Sequence, residues 1–148
     1  MAYTTPFSSP YAASSATTSG TPLAYLQSSV ETASPSKLLV MLYERLVLDC
    51  RRAVAAQEAG DHAVAHHNLL HAQDIVVELQ SSLRPGVWDG SEGLNSIYSH
   101  LTVQLIQANV QRDVTITSHC LDLVVGLAEA WREAAAEAAR PADAVRSA

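Results

Sequence analysis

The sequence predicts an all-α protein: an antiparallel up-down-up-down four-helix bundle with a short N-terminal helical segment and a disordered N-terminal tail. Three observations carry that expectation. Apolar residues recur at alternating steps of four and three along several long segments, the seam of helices that pack at a shallow angle. Start and stop signals punctuate the chain at Ser34-Pro35, Gly60-Asp61, Arg84-Pro85-Gly86, Asp113 and Pro141. No segment shows the sustained period-two alternation of a strand, and six glycines and six prolines in 148 residues are too few for a turn-rich β fold.

Residues 1–22 hold only small and polar residues, Pro, Gly, two Tyr, Phe7 and Met1. Such a stretch buries too little surface to offset its ordering entropy, so it is expected to be a disordered tail. It lacks Lys, Arg and a long apolar run, and so does not read as a signal peptide. The folded domain is expected over 23–140, beginning with a short apolar segment at 23–31 that carries Leu23, Tyr25, Leu26 and Val30. Ser34 and Pro35 then suit the N-cap and first position of a helix over 35–59, which Gly60 ends. Its main stripe is Leu39, Leu42, Leu46, Cys50 and Ala53.

Asp61 can cap a second helix over 62–83, with its seam at Ala65, Leu69, Ala72, Val76, Leu79 and Leu83. A third helix over 92–111 carries Leu94, Ile97, Tyr98, Leu101, Leu105 and Ala108. Asp113 can cap a fourth over 114–138, where the 4-3-4 rule selects Ile116, Cys120, Leu123, Leu127, Ala130 and Ala134. Residues 141–148 form a C-terminal tail. Trp88 is expected to cover a bundle end and Trp131 to pack at the fourth seam.

Hydrophobic residues make up 48% of the chain, enough for a packed core. The net charge is −6, the first charged residue is Glu31, and no basic stretch exists, so nucleic acid is not an expected partner. No apolar run approaches a membrane span, so membrane insertion is not expected. Cys50 and Cys120 stand apart and read as reduced, buried cytosolic thiols.

The histidines are the one catalytic-looking feature. His62/His66 and His67/His71 are both i,i+4 pairs, the spacing at which two imidazoles share a metal ion. No third ligand converges in sequence, and the seam places His67 and His71 toward solvent and His62 and His66 at its flank. A solvated, weakly basic face is the expectation, with no metal, cofactor or catalytic residue. Glu-x-x-His di-metal motifs, glycine-rich phosphate loops and nucleophile signatures are absent from the sequence. A metal-dependent or phosphotransfer bundle centred on His62–His71 is a minor alternative, testable by changing His66, His67 and His71.

More informative is apolar surface beyond one stripe per helix. Nine of the eleven residues 38–48 are apolar, and Met41 and Leu48 point nearly opposite to the main stripe. Val103, Ile106 and Val110 form a second stripe on the third helix, and Val114, Leu121, Val125 and Ala128 on the fourth. Helices apolar nearly all round must be covered on both sides, which predicts outer grooves that accept another helix.

Three stretches together resemble the flagellar secretion chaperone (FliS) family. They are Ala24-Tyr25-Leu26-Gln27 with Val30-Glu31-Thr32-Ala33-Ser34-Pro35 leading into Leu38–Tyr43; Ala72-Gln73-Asp74-Ile75 with Glu78-Leu79 and Ser82-Leu83; and Leu94, Tyr98, Leu105, Ala108-Asn109-Val110 and Asp113, ending in Ala130-Trp131-Arg132-Glu133. The resemblance covers about 24–134. Glu44-Arg45 and Ser36-Lys37 depart from the family's common residues, and the tail is longer than usual.

That resemblance implies a non-enzymatic cytosolic chaperone. It would bind the disordered C-terminal segment of flagellin one to one, block premature polymerisation and help deliver the subunit to the type III export gate, with an export-gate component as a further partner. It also implies that Tyr25, Leu26 and Val30 act as a clamp over part of the client groove. Periodicity, in turn, nominates Met41, Leu48, Val103, Ile106, Val110, Leu121 and Val125 as groove residues. The free protein is expected to be a monomer or weak homodimer. The alternative is a generic helical adaptor or homodimerising bundle without a flagellar client.

Overall fold

The structure is a computed structural model that describes residues 35–83 and 89–140. Four helices fill these stretches: α1 (Pro35–Glu58), α2 (His62–Ser82), α3 (Ser91–Val110) and α4 (Val114–Ala138). The structure moves four of the expected ends, at 59, 83, 92 and 111, by one residue each. The tail 1–22, the segment 23–31 with Tyr25, Leu26 and Val30, the cap Ser34, Trp88 and the tail 141–148 lie outside the described residues.

Two tight turns at one end set the architecture. In the first, Asp61 N donates to Ala56 O at 2.8 Å and Gly60 N to Gln57 O at 3.1 Å, with Gly60 at φ +73°. This is a Schellman turn, in which the left-handed residue lets the last carbonyls of α1 find donors. The Asp61 carboxylate then accepts from Val64 N and caps α2. The second turn repeats the device. Asp113 N donates to Ala108 O at 3.1 Å, Arg112 N donates to Asn109 O at 3.3 Å, and Asp113 caps α4 through Thr115 N.

Side-chain pairs fix the helix directions. Asp49 meets His71 across α1 and α2. Gln80 reaches Asn95 and Ser99 while His66 reaches Asn109, so α2 and α3 run antiparallel. Thr117 meets Gln57 at one end of α1 and Arg132 meets Glu44 at the other, so α4 runs antiparallel to α1. The neighbouring pairs α1–α2, α2–α3, α3–α4 and α4–α1 close the four-helix ring.

The core inside it grades along the bundle. Near the turns, small residues (Ala53, Ala65, Ala108) surround a polar tie: Gln57 Nε2 donates to Ala108 O, and its Oε1 accepts from the buried Thr117 hydroxyl at 2.7 Å. Leu46, Leu69, Leu101, Leu105, Val76 and Val124 fill the middle with Cys50 and Cys120. At the far end Tyr43 hydrogen-bonds Tyr98 across the bundle and stacks on Trp131, ring centroids 6.3 Å apart.

The seam of α4 is not the one the spacing rule selects. Thr117, Cys120, Val124 and Ala128 are buried, whereas Ile116, Leu123 and Leu127 are half-buried at the edge of the core and Ala130 and Ala134 are exposed. Apolar residues lie on most of α4, so several stripes fit the 3–4 rule equally well. Gln57 decides between them, because its amide satisfies Thr117 and lets a polar residue hold a seam position.

Candidate functional site

The bundle leaves seven large apolar side chains exposed among the described residues: Leu48, Val64, Leu70, Val77, Val103, Ile106 and Val110, from 37% at Leu48 to 77% at Val110. Six of the seven belong to α2 and α3. The bonds from His66 to Asn109 and from Gln80 to Asn95 fix the register of these two helices. In that register Leu70 sits level with Ile106, and Val77 level with Ser99 to Thr102. Val103 and Val110 continue the row on the solvent side of α3.

The outer face of α2–α3 is therefore an apolar strip over a polar floor of His66, Gln80, Asn95, Ser99 and Asn109. A strip of aliphatic side chains with amides beneath can accept an amphipathic helix and still hydrogen-bond its edge.

The other nominated residues fall elsewhere. Met41 is half-buried and Leu48 exposed on the opposite side of α1 from its core stripe. Leu121 and Val125 are half-buried and packed against the core, so on α4 the second stripe is the flank of the seam, and Ala128 belongs to the seam itself. Val125 does line a cleft of about 210 Å³ between α1 and α4, with Glu44, Val47, Arg51, Glu129 and Arg132.

The sequence reading missed Leu70 and Val77. Both are apolar, seven residues apart and off the seam of α2, the same signal that found Val103 and Val110 on α3.

The histidine expectation also needs correction. His71 is not turned wholly to solvent: its Nδ1 bonds the Asp49 carboxylate, and Asp49 is fully buried in the α1–α2 interface. Arg45 Nε stands 3.2 Å from the other carboxylate oxygen, an ion contact without hydrogen-bond alignment. Nothing in the sequence of α1 singles Asp49 out, because its burial depends on α2 lying beside it. His66 leans on Asn109 at a cavity of about 270 Å³ that Gln57, His62 and Arg112 also line.

Neither thiol is activated for catalysis. Burial pushes Cys50 up to about 12 and Cys120 up to about 11, so both stay protonated at neutral pH. Burial also raises Tyr43, against the hydrogen bonds from Tyr98 and Trp131 that lower it, and raises Tyr98, to which the bond with Tyr43 adds. Both phenols serve as neutral hydrogen-bonding groups.

A helical bundle whose described helices leave an apolar strip exposed has the form of a binding protein. The comparisons with known proteins name the family. The model of the family "Flagellar protein FliS" matches residues 20–138, and the chain belongs to that family. It is 32% identical over 111 residues to the flagellar secretion chaperone FliS of Bacillus subtilis, covering 75% of this chain and 83% of that protein. The Salmonella typhimurium flagellar secretion chaperone FliS is 30% identical over 119 residues, covering 74% and 86%. A crystal structure of a bacterial flagellar chaperone superposes with a TM-score of 0.65 at 19% identity, over 78% of this chain and 98% of that one. The family is one of chaperones, not enzymes. No helix among the described residues is long and apolar enough to cross a membrane.

Proposed function

We infer that this protein is a cytosolic export chaperone that binds the disordered C-terminal segment of flagellin, one to one. It keeps the subunit from polymerising and passes it to the type III export gate, where an export-gate component is the further partner. One observation carries the reading: a bundle of this family leaves an aliphatic strip along α2–α3 that its own described helices do not cover. A disordered client lays apolar helical faces into such a strip and loses ordering entropy as it does so, which moderates affinity and permits release.

Leu70, Val77, Val103, Ile106 and Val110 form the main contact surface. Met41 and Leu48 on α1, and Leu121 and Val125 at the α1–α4 cleft, extend it. Tyr25, Leu26 and Val30 remain the clamp proposed from sequence. Mixing the chain with a flagellin C-terminal peptide gives a 1:1 complex in native mass spectrometry. Absence of binding at micromolar peptide would sink the reading.

A further inference from the structure

We propose that His67 and His71 form a two-histidine site for a transition-metal ion on the outer face of α2, with the buried Asp49 carboxylate as its positioning group. Residues four apart on a helix lie about 5–6 Å apart at Cβ, a separation at which two imidazoles reach one ion. That spacing is common; the setting of His71 is not. Its Nδ1 is engaged by Asp49, so the free lone pair is at Nε2, on the side of the ring away from the interface. The Asp49 side chain is fully buried, whereas that of His71 is 43% exposed, so the ring joins a buried carboxylate to solvent. This carboxylate–histidine arrangement recurs behind metal-binding imidazoles, where it fixes tautomer and orientation and raises basicity. His71 cannot swing away without leaving the Asp49 oxygen bare, so half of the site is already organised.

The charge around the pair is mixed. Asp74 and Glu78 follow His71 along the same face at steps of three and four, and both are exposed. Against them stand two cations of α1: Arg45, whose charge is partly offset by its ion contact with Asp49, and the exposed Arg52, so the site depends on the two imidazoles more than on the local charge. The His62/His66 pair has the same spacing but a different setting. His66 Nδ1 is held by an amide of Asn109, and the Arg112 guanidinium lines the same cavity. Among the described residues no group of three or more His, Cys, Asp and Glu converges on one point, so water completes the coordination sphere. An open site of nitrogen and water ligands suits Cu²⁺ most strongly, then Ni²⁺ or Zn²⁺.

The test titrates the full chain with Cu²⁺, Ni²⁺ or Zn²⁺ near neutral pH, by calorimetry and by the imidazole NMR signals. The expected result is one saturable equivalent, tightest for Cu²⁺, with the His67 and His71 signals responding first. His67 is exposed, so His67→Ala removes that equivalent and leaves the far-ultraviolet dichroism unchanged, whereas His62→Ala keeps it. Asp49→Asn weakens binding by about 10–100-fold. The site is overturned if no saturable binding occurs, or if binding survives His67→Ala or is lost in His62→Ala. A folded Asp49→Asn protein that binds as tightly as the parent overturns the positioning role. Should that variant not fold, the ring-nitrogen NMR shifts of His71 in the metal-free parent decide: a proton held on Nδ1 with Nε2 free supports the positioning role of Asp49, and a proton on Nε2 overturns it.

Discussion

Arg112 and Gly60 occupy the same place in two turns of the same design, yet Gly60 is the residue that the left-handed backbone favours. A non-glycine residue there costs roughly 1–2 kcal/mol, and Arg112 at φ +52° bears that cost. Arg112→Gly should therefore raise stability by up to about 1 kcal/mol, after the added freedom of the unfolded chain is discounted. Urea denaturation measures it, and a loss of stability would mean that the Arg112 side chain holds the turn. The two cysteines make a second prediction. In the unfolded chain a thiol ionises near pH ~8.5, while burial keeps Cys50 neutral to about 12 and Cys120 to about 11. Between those limits the unfolded state binds fewer protons than the folded state, so stability falls as pH rises. Tyr43 and Tyr98 are shifted in the same direction and add to it. Denaturation midpoints should hold from neutrality to the unfolded thiol pKa and then drop steadily, and Cys120→Ala should soften the fall.

Among the elements, α2 carries most of the functional argument because three of its faces do different work. One builds the core through Ala65, Leu69, Ala72, Val76 and Leu79; a second meets α1 through His71; a third bears Leu70, level with Ile106, and Val77 two turns further along. Leu70→Asp and Ile106→Asp should each weaken client binding at least tenfold, ~1.4 kcal/mol, while leaving the melting temperature nearly unchanged, since both side chains are already exposed. Client affinity measured by calorimetry, with Leu121→Asp as the contrasting half-buried variant, checks this. Unaltered affinity in both would move the client surface to the α1–α4 cleft. The core rows of α2 and α3 were largely legible from spacing; on α1, which is apolar nearly all round at 38–48, spacing found Leu46, Cys50 and Ala53 but put Leu39 and Leu42 where the structure buries Tyr43 and Val47 more deeply. On α4 nearly every row is apolar, and the choice fell to a hydrogen bond between Thr117 and Gln57, sixty residues apart.

In the described bundle, the ring of four antiparallel helices is the frame that places the α2–α3 strip on its outer face. A chaperone awaiting its client should run as a monomer or weak dimer in light scattering, and a tight dimer would favour the homodimerising alternative. Deleting residues 1–30 should leave helical content close to that of the full chain and alter the affinity for the flagellin peptide. Collapse of the helical signal would instead make that segment part of the folded core.

The sequence by itself determined the all-α class, the four helices to within a residue, both aspartate caps and the family, because periodicity, capping and motif order are properties of neighbours along the chain. Only the tertiary structure decided which row of α4 faces inward, that Leu70 and Val77 join Ile106 in one strip, and that Asp49 is buried against His71. Each of those depends on which helix lies opposite and in what register. Burial and pairing across an interface are set by residues far apart in sequence, and no local pattern encodes them.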